Sequence, residues 1–488
     1  MPELDGERVH FIGAGGASMS ALAEYCLLSG AEVTGSDRTF GENMEKLAAL
    51  GAEVYTGARR DIIARAGVVV YSSAVPESDT ELSAARAMGK RVTERHEFLA
   101  EIASGFSVVA AVSGTHGKTT VTAMTAHILK ALGIPFVAHI GGEPVGMGNL
   151  TVLREKDGSL PRGIFLTEAC EFGRHLLALA PSVAVVTNME CDHPDCYSSS
   201  REVRDVFAKF VEKCPLTIVR AEDAFICSGA HTVIRETCGT PCGELCGGKS
   251  PTHGGCTGGN AGEKECSRMP VCTYTLSRVL EWESGQTDAL SDGTHTAGFT
   301  LSFAGAHYAA DAAFAVALAV ALGADFGKAC GALASFGGVK RRYERAGTLH
   351  GAEVIFDYAH HPTELRCTLR TADAGGRTLA VFQPHTYSRT ASYMADFVDV
   401  LGSRKEVVLL PTYAARERGT QGASSADLAA AISGKYPECK VYLAVSHDDA
   451  WNYVENNASR FDKILMLGAG DIYAVSYTHL RAHETLRH

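Results

Sequence analysis

The sequence has no long apolar run and no excess of positive charge. Its longest apolar stretch, 312–322, is rich in alanine and shorter than the roughly 20 residues that a membrane-spanning helix needs. The polar segment 1–8 has no apolar stretch before a cleavage site, so it lacks the pattern of an export signal. A net charge of -11 provides no overall basic field for a polyanion. We therefore expect a cytoplasmic protein without membrane insertion and without a nucleic-acid partner.

Evidence for disulfide bonding is also missing, although the chain contains 15 cysteines. Eight are scattered along the chain and are expected to be reduced thiols in the absence of an export signal. The other seven lie between Cys227 and Cys272, where nine of the 29 residues from 238 to 266 are glycine. This composition predicts a flexible insertion at about 236–270. Its cysteines lack the two matched pairs of a zinc motif, which makes a metal site there the weaker interpretation.

What the sequence does contain is an alternation of apolar strands and helical segments that restarts twice. A chain of 488 residues is long enough for about two to four domains. The alternation predicts parallel sheets covered by helices. We predict an α/β fold with three consecutive domains: a Rossmann-like domain (1–104), a P-loop ATPase-like domain (105–334) and a second Rossmann-like domain (335–474). Residues 475–488 match no core pattern and are expected to be a non-native tail.

The individual elements are predicted from their apolar periodicity. Helices are expected at 18–28, 43–50, 81–88, 118–132 and 309–322. Strands are expected at 9–12, 32–34, 68–71, 91–93, 107–112, 163–166, 183–187, 353–356, 378–382, 406–410, 441–444 and 463–467.

The strongest chemical signal is the segment SGTHGKTT at 113–120, between a buried strand and a helix. Its glycines let backbone N–H groups approach a phosphate, and the following helix N-terminus favours an anion. Lys118 can reach the terminal phosphates, and Thr119 can bind a metal ion. Val112 occupies the first glycine position of the strict P-loop pattern, so the loop is a shortened variant. Seven residues are expected to bind ATP here: Gly114, Thr115, His116, Gly117, Lys118, Thr119 and Thr120.

A second glycine loop, GAGGAS at 13–18, follows the first predicted strand. Asp37 lies downstream at about the spacing of a dinucleotide fingerprint, but Ser18 replaces the third glycine. The pattern alone is weak, and a purely structural turn would also explain it. We favour binding of a nucleotide diphosphate at this helix start. An NAD-dependent oxidoreductase would explain this loop but would leave 114–120 unexplained.

Together with six further motifs, these loops resemble the Mur ligase family. The eight motifs lie at 13–20, 114–120, 168–171, 187–193, 338–344, 357–364, 383–389 and 413–417, in a similarity that runs from about 9 to 473 apart from the insertion. The resemblance implies an ATP-dependent ligase that joins L-alanine to the carboxylate of UDP-N-acetylmuramate through an acyl phosphate. It also implies ATP and Mg²⁺ as cofactors, small-molecule partners and a monomer or homodimer.

The resemblance further implies roles for individual residues. The expected catalytic residues are Lys118, His193, Arg342 and His361. The expected metal ligands are Thr119, Glu168 and His193. Besides the loop at 114–120, ATP is expected to contact His307, Arg342 and Asp357. The UDP-sugar is expected to contact Gly13, Gly15, Gly16, Ser18, Ser36, Asp37, Ser72 and Ser73. The amino acid is expected to contact His360, His361 and Arg389.

The chemistry of these side chains agrees with the implied roles but leaves alternatives. A carboxylate such as Glu168 suits Mg²⁺, and a histidine on a second ion is tolerated, but Asp-His-Pro around His193 also makes a plain turn. The guanidinium of Arg342 suits a phosphoryl group, whereas Lys-Arg-Arg is usually a solvated basic run. The fork of Arg389 can hold a carboxylate, yet it could be a solvated loop residue.

Two features bear on the choice of function within the family. Tyr308 and Asp311 stand where asparagines are usual beside adenine, which makes the adenine contacts less certain. A ligase that adds a recycled tripeptide to the same sugar is the nearest rival, and Glu364 in His-His-Pro-Thr-Glu favours the enzyme that adds alanine. A nucleotide-binding regulator without catalysis is a further alternative, to which intact Lys118 and Glu168 give little support.

Overall fold

The computed structural model describes residues 4–192, 196–197, 199–237, 271–282, 285–373, 376–415, 417 and 421–485. Over these residues the chain forms three sheets, of five, ten and six strands, with covering helices. The predicted three-domain α/β fold is confirmed. Most of the predicted cysteine-rich insertion and the predicted metal ligand His193 lie outside the described residues. No helix within them is both long and apolar enough to cross a membrane.

The first sheet is entirely parallel. Its strands are β1 (Arg8–Ile12), β2 (Glu32–Asp37), β3 (Glu53–Thr56), β4 (Val68–Tyr71) and β5 (Arg91–Glu94), and its helices are α1 (Ala17–Leu28), α2 (Glu42–Ala49), α3 (Arg60–Arg65), α4 (Thr80–Ala87) and α5 (Arg95–Ala103). The strand order is β3-β2-β1-β4-β5. The order reverses between β1 and β4, and sheets of this kind bind ligands in the crevice at such a point, beyond the carboxyl ends of the strands.

The central sheet has ten strands in the order β15-β14-β13-β12-β11-β10-β6-β9-β7-β8. The strands are β6 (Val108–Ser113), β7 (Phe136–His139), β8 (Leu150–Leu153), β9 (Ile164–Glu168), β10 (Val183–Val186), β11 (Leu216–Arg220), β12 (Ala230–Thr237), β13 (Cys272–Trp282), β14 (Gly285–Ser291) and β15 (Thr296–Leu301). The helices are α6 (Lys118–Ala131), α7 (Ser200–Val211), α8 (Ala306–Ala321) and α9 (Phe326–Ala332). Strand β6 lies between β9 and β10, so the carboxyl ends of these three parallel strands meet.

The third sheet has the order β16-β17-β21-β18-β19-β20. Its strands are β16 (Glu344–Leu349), β17 (Ala352–Asp357), β18 (Thr378–Phe382), β19 (Glu406–Leu409), β20 (Lys440–Leu443) and β21 (Lys463–Leu467), of which only β16 is antiparallel to its neighbour. The helices are α10 (Pro362–Asp373), α11 (Tyr387–Ser392), α12 (Met394–Gly402), α13 (Ser425–Lys435), α14 (His447–Asn457) and α15 (Ile472–Thr485).

Hydrophobic clusters continue from one domain into the next. One contains Phe314 of the central domain together with Leu365 of the third domain. A second joins the first domain to the central one through Phe106, whose ring lies 4.9 Å from that of Phe165 and 6.2 Å from that of Tyr25. Because burial of apolar area is the main stabilising term in folding, these shared clusters resist separation of the domains.

The best predicted elements are continuous apolar runs. The strands at 68–71, 378–382 and 463–467 are confirmed with the predicted bounds, since buried parallel strands have uninterrupted apolar sequences. The antiparallel strands β14, β15 and β16 were not predicted. In β14 the buried side chains include those of Gln286 and Asp288, so the strand lacks the apolar pattern on which the prediction depended.

The expectation that 475–488 is a non-native tail stays a prediction, but the described part of this segment is packed against the third domain. Helix α15 packs against the third sheet, and Ser476 and Leu480 are buried there. The ring of His479 stacks on Trp451 of α14, with centroids 5.3 Å apart. Residues around Leu480 therefore belong to the hydrophobic core of the third domain, although their polar neighbours conceal this in the sequence.

We expect Leu480→Ala to lower the free energy of unfolding of the third domain by about 2–5 kcal/mol, the usual cost of emptying a buried leucine site. Urea unfolding followed by the fluorescence of Trp451, in a Trp282→Phe background, measures the effect. The exposed Thr478 on the same helix supplies the control, since Thr478→Ala leaves the core intact. Equal midpoints for the two variants would contradict the packing of α15.

Candidate active site

The loop after β6 has a backbone that requires glycine at two positions. Gly114 has a φ of +128° and Gly117 a φ of +84°, both in the region that side chains disfavour. A Cβ atom would lie 2.0 Å from Thr187 Oγ1 at Gly114 and 2.4 Å from Asp311 Oδ1 at Gly117. The loop is thus pressed against the end of β10 and against α8. Its backbone N–H groups precede α6, as expected for a phosphate-binding loop.

Lys118, the first residue of α6, folds back over this loop. Its Nζ donates to the carbonyl oxygens of Gly114 (2.6 Å) and Thr115 (3.1 Å) and to Glu171 Oε2 (2.8 Å). Burial lowers the pKa of Lys118, but the charge of Glu171 outweighs this effect, and the pKa stands above its ordinary value. The lysine is therefore a fixed cation at a helix N-terminus. No role was predicted for Glu171, although it lies in the motif at 168–171.

Two oxygen ligands predicted for a metal ion lie side by side. Thr119 Oγ1 donates to Glu168 Oε2 at 3.0 Å, and the backbone N–H of Gly141 donates to the other carboxylate oxygen. Burial raises the pKa of Glu168 above its ordinary value, and these two hydrogen bonds oppose the rise. Strand β9 presents Glu168 at its carboxyl end, next to the end of β6. This arrangement brings the carboxylate to the start of α6.

Arg342 and Asp357 approach the loop from the third domain. Arg341 and Tyr343, on either side of Arg342, have φ values of +61° and +50°, which are strained for residues with side chains. Asp357 supports this turn by accepting from the backbone N–H of Tyr343 at 2.9 Å. Burial raises the pKa of Asp357 to about 6. The guanidinium of Arg342 lies 4.9 Å from the ring centroid of Tyr358, so stacking fixes its plane.

His116 joins the nucleotide loop to the third domain. Its Nδ1 lies 3.1 Å from Glu364 Oε1, and its Nε2 lies 3.5 Å from Glu190 Oε2. Burial alone would lower the pKa of His116, but Glu364 and Glu190 raise it to about 10. His116 in turn lowers the pKa of Glu190 to about 2, against the effect of burial. The two carboxylates therefore hold a charged imidazolium between the domains.

In the region expected to bind adenine, the burial of Asp311 offsets its replacement of the usual asparagine. The rings of His307 and Tyr308 lie 4.0 Å apart at the start of α8, which places His307 beside the loop of Gly305. Burial raises the pKa of Asp311 to about 8, so its carboxyl group is neutral at pH 7. A neutral acid has the uncharged polarity of the asparagine that the resemblance leads one to expect at this position.

The two adjacent histidines before α10 differ in their surroundings. His360 Nδ1 lies 3.0 Å from the carbonyl oxygen of Tyr358, so this nitrogen donates and Nε2 is an acceptor. His361 Nδ1 accepts from the backbone N–H of Thr363 at 3.3 Å. Its Nε2 is buried and has no hydrogen-bond partner among the residues that the structure describes. Burial lowers the pKa of His361 to about 4, which makes it a neutral donor at pH 7.

Arg389 is buried against the central domain. Its Nη2 donates to Asp192 Oδ1 at 2.9 Å, and its Nη1 lies 3.1 Å from His385 Nδ1. The sequence assigned Arg389 to a substrate carboxylate and gave Asp192 no role. In the structure the carboxylate of Asp192 makes the contact that a substrate carboxylate would make. Asp192 is the last described residue of the motif at 187–193, so this pair holds that end of the motif against the third domain.

The residues predicted for the UDP-sugar converge at the carboxyl ends of β1, β2 and β4. The N–H of Gly15 donates to Asp37 Oδ2 at 2.9 Å, and a Cβ atom on Gly13 would lie 3.3 Å from Ser72 Cβ. Gly16 precedes α1, and Ser73 follows Ser72 in the turn after β4. Ser36 is an exception in orientation, since it is buried and donates to Glu81.

Ser18 connects this loop to the central domain. Its Oγ lies 2.8 Å from His139 Nε2 and 3.2 Å from a guanidinium nitrogen of Arg95. Burial lowers the pKa of His139 to about 4, so the imidazole is neutral. These contacts, like those of Asp192 and Glu190, join residues far apart in sequence. The predicted site residues that the structure describes therefore form two neighbouring groups. One group lies in the first domain, and the other lies between the second and third domains.

Known proteins resemble this chain along nearly its whole length. Family models match in order: Mur ligase family, catalytic domain (8–107), Mur ligase middle domain (112–235) and Mur ligase, glutamate ligase domain (341–470). The UDP-N-acetylmuramate--L-alanine ligase of Clostridium beijerinckii is 34% identical over 483 residues, covering 98% of each chain. The enzyme of the same name from Rubrobacter xylanophilus is 36% identical over 483 residues, covering 95% of this chain and 97% of its own.

Solved structures agree in fold. The UDP-N-acetylmuramate-alanine ligase MurC of Thermotoga maritima matches with a TM-score of 0.73 at 23% identity, over 98% of this chain and 99% of its own. A murein peptide ligase of Psychrobacter arcticus matches with a TM-score of 0.69 at 23% identity, over 98% of both chains. Two relatives that align over nearly their full length at more than 30% identity, together with the three matched domains, establish that this chain belongs to the Mur ligase family.

Proposed function

We propose that this protein joins L-alanine to the carboxylate of UDP-N-acetylmuramate and converts ATP to ADP and phosphate. The observation that carries the proposal is the contact between the nucleotide loop and the third domain, where His116 Nδ1 lies 3.1 Å and Arg342 Nη1 4.0 Å from Glu364 Oε1. Lys118, Thr119 and Glu168 lie on the central-domain side of this contact, and the charge of Arg342 acts on the carboxylate of Glu168. Two relatives that align over nearly their full length carry the name UDP-N-acetylmuramate--L-alanine ligase. ATP and UDP-sugars are cytoplasmic substrates, which fits a cytoplasmic site of action.

The first half of the reaction makes an acyl phosphate. A carboxylate is a poor electrophile, so one oxygen of the muramate carboxylate attacks the γ-phosphorus of ATP and ADP leaves. Positioning and charge neutralisation dominate such transfers. Lys118 meets the terminal phosphates after exchanging Glu171 for them, and Arg342 meets the transferring group from the third domain.

The oxygen atoms of Thr119 and Glu168 fit Mg²⁺. They are hard donors 3.0 Å apart at the start of α6, and Mg²⁺ prefers carboxylate and hydroxyl oxygens together with phosphate. We propose that these residues hold the ion, with His193 as a further predicted ligand. When bound, the ion neutralises negative charge on the phosphoryl group. A bound cation would lower the pKa of Glu168, which burial holds above its ordinary value.

In the second half the alanine amine displaces phosphate from the acyl group. The ammonium form loses a proton, and the resulting amine forms the C–N bond through a tetrahedral intermediate, from which phosphate leaves. We propose that His360 accepts the proton through Nε2, since its Nδ1 is held by Tyr358. His361 Nε2 is a buried donor without a hydrogen-bond partner in the described part of the chain, and it suits an oxygen of the intermediate or of alanine.

A phosphate-release assay tests the proposed function. UDP-N-acetylmuramate and ATP are offered with L-alanine, glycine, L-serine or an alanine-containing tripeptide. We expect the highest kcat/KM with L-alanine and values about tenfold to two-hundredfold lower for glycine, because one methyl group in a small pocket is worth that much. Turnover with the tripeptide alone would favour the recycling ligase. Without turnover for any acceptor, the ligase proposal fails.

We expect Lys118→Ala to lower turnover at least tenfold, and on the order of a hundredfold or more, since a cation aimed at the transferring phosphoryl group is lost. Titration calorimetry should give the wild-type affinity for UDP-N-acetylmuramate, because the first domain holds that substrate. The control is Lys130→Ala, which changes an exposed lysine at the other end of α6. A Lys118→Ala enzyme with more than a tenth of wild-type turnover would remove the proposed role.

We expect Arg389→Ala to raise the KM for alanine about tenfold to a hundredfold and to leave the KM for ATP nearly unchanged. Loss of a charge-assisted contact to the alanine carboxylate costs about 1.5–3 kcal/mol. The variant also removes the ion pair between Arg389 and Asp192, so Asp192→Asn measures the structural part of the effect. If the alanine KM of Arg389→Ala stays within twofold of wild type, the carboxylate is bound elsewhere. An equal rise of the alanine KM in Arg389→Ala and Asp192→Asn would also mean that the carboxylate is bound elsewhere.

A further inference from the structure

A buried carboxylate of α4 contacts the carboxyl ends of β2 and β3, and neither proposed half-reaction uses it. Glu81 lies in the first turn of this helix and is 3% exposed. Its Oε1 accepts from the Tyr55 hydroxyl and from the backbone N–H of Arg59, each at 2.7 Å. Its Oε2 accepts from the Ser36 hydroxyl and lies 3.4 Å from His10 Nε2. One carboxylate therefore joins β1, β2, β3 and the residue before α3 to α4.

The charged form of this carboxyl group is the one that the domain holds. Burial alone would raise the pKa of Glu81, but the hydrogen bonds that it accepts lower the pKa to about 2. A buried charge is costly unless several hydrogen bonds compensate for it. Loss of the carboxylate would in turn deprive at least three donors of this acceptor. Glu81 therefore determines how these segments meet.

Ser36 carries this constraint from α4 to the glycine loop that precedes α1. Its hydroxyl donates to Glu81, and its carbonyl oxygen accepts from the backbone N–H groups of Gly13 (2.8 Å) and Ala14 (3.0 Å). Ser36 is 4% exposed, so its hydroxyl faces the interior of the domain. These contacts form a continuous path from the buried charge to the backbone of the loop.

We propose that Glu81 is a positioning residue for the sugar nucleotide, because it holds the glycine loop and the turn after β3 in a preformed arrangement. The inference rests on the proposed function, in which the first domain binds the UDP group. Both segments follow the carboxyl ends of parallel strands, where sheets of this kind bind ligands. Groups that are already in place need no ordering when a diphosphate binds, so less of the binding energy is lost. Glu81 acts on the nucleotide through Ser36 and Arg59, without a contact of its own.

The donors around Glu81 differ in how they tolerate a change of acceptor. The backbone N–H of Arg59 can only donate, whereas the hydroxyl of Ser36 can also accept. In Glu81→Gln the amide oxygen can face Arg59 and Tyr55, and the amide N–H₂ group can donate to Ser36. The glutamine variant should therefore keep most of the arrangement, and Glu81→Ala should lose it. Equal effects of the two variants would instead point to the charge alone and would contradict the positioning role.

Titration calorimetry of the full-length protein with UDP tests this role without requiring turnover. We expect Glu81→Ala to raise the Kd for UDP about threefold to thirtyfold, the usual range for residues that act on a ligand through others, and Glu81→Gln to raise it less. The KM for ATP should stay near that of wild type, because Lys118 lies in the central domain. Leu82→Val is the control, since it weakens the packing of the same helix and removes no partner of Ser36.

A double-mutant cycle tests the path through Ser36. Ser36→Ala should raise the Kd for UDP, and its addition to Glu81→Ala should change the Kd little further, because both variants break one link. If the two effects multiply, Ser36 contacts the ligand directly and the path is wrong. Should Glu81→Ala not fold, Glu81→Asp takes its place, since the shorter side chain cannot reach all of the donors.

The remaining outcomes separate this role from the proposed function. A wild-type Kd for UDP in the Glu81→Ala protein, or an equal rise in Leu82→Val, would overturn the positioning role and leave the proposed function standing. A wild-type protein that does not bind UDP would count against the proposed function itself and would overturn this inference with it.

Discussion

His116 forms a charged cluster with Glu364 and Glu190. This cluster determines how the third domain meets the nucleotide loop. Removal of Glu364, whose side chain is 15% exposed, would take the nearest carboxylate from His116, whereas Glu190 is 39% exposed and solvent screens its contribution. The raised pKa of His116, about 10, means that its contribution is complete below its ordinary value of 6.5 and is lost as the pH rises through 10. The lowered pKa of Glu190, about 2, gives a contribution that is lost only as the pH falls through 2. The joint therefore persists across neutral pH.

Other cations of the proposed active site are likewise paired with anions of the protein. Lys118 is paired with Glu171, Arg389 with Asp192, and His116 with two carboxylates. Each cation that the proposed chemistry needs already has an anion of the protein as its partner. Substrate phosphates and carboxylates then replace internal partners instead of meeting bare charges, so the gain on binding is the difference between two ion pairs. Such exchange favours specificity over raw affinity.

The sequence predicted those parts of the molecule whose signal is local. The strand at 463–467 is an apolar run, and the loop at 114–120 carries its glycines and lysine in consecutive positions. The partners of these residues were not predictable in the same way. Glu171 and Asp192 were inside recognised motifs but had no role, because which charge faces which depends on how β9, β10 and α11 pack.

Parallel pairing of β12 and β13 has a consequence for engineering. Thr232 faces Cys272 and Thr237 faces Ser277, so after Thr237 the chain must return past about five strand residues, roughly 17 Å, before β13 begins. A connection between parallel neighbours must also leave the sheet to return, so it needs about a dozen residues or more. The natural connection is far longer, and longer connections cost little additional entropy. This crossover is a position where a foreign domain could be carried between two strands of the central sheet while their register is kept.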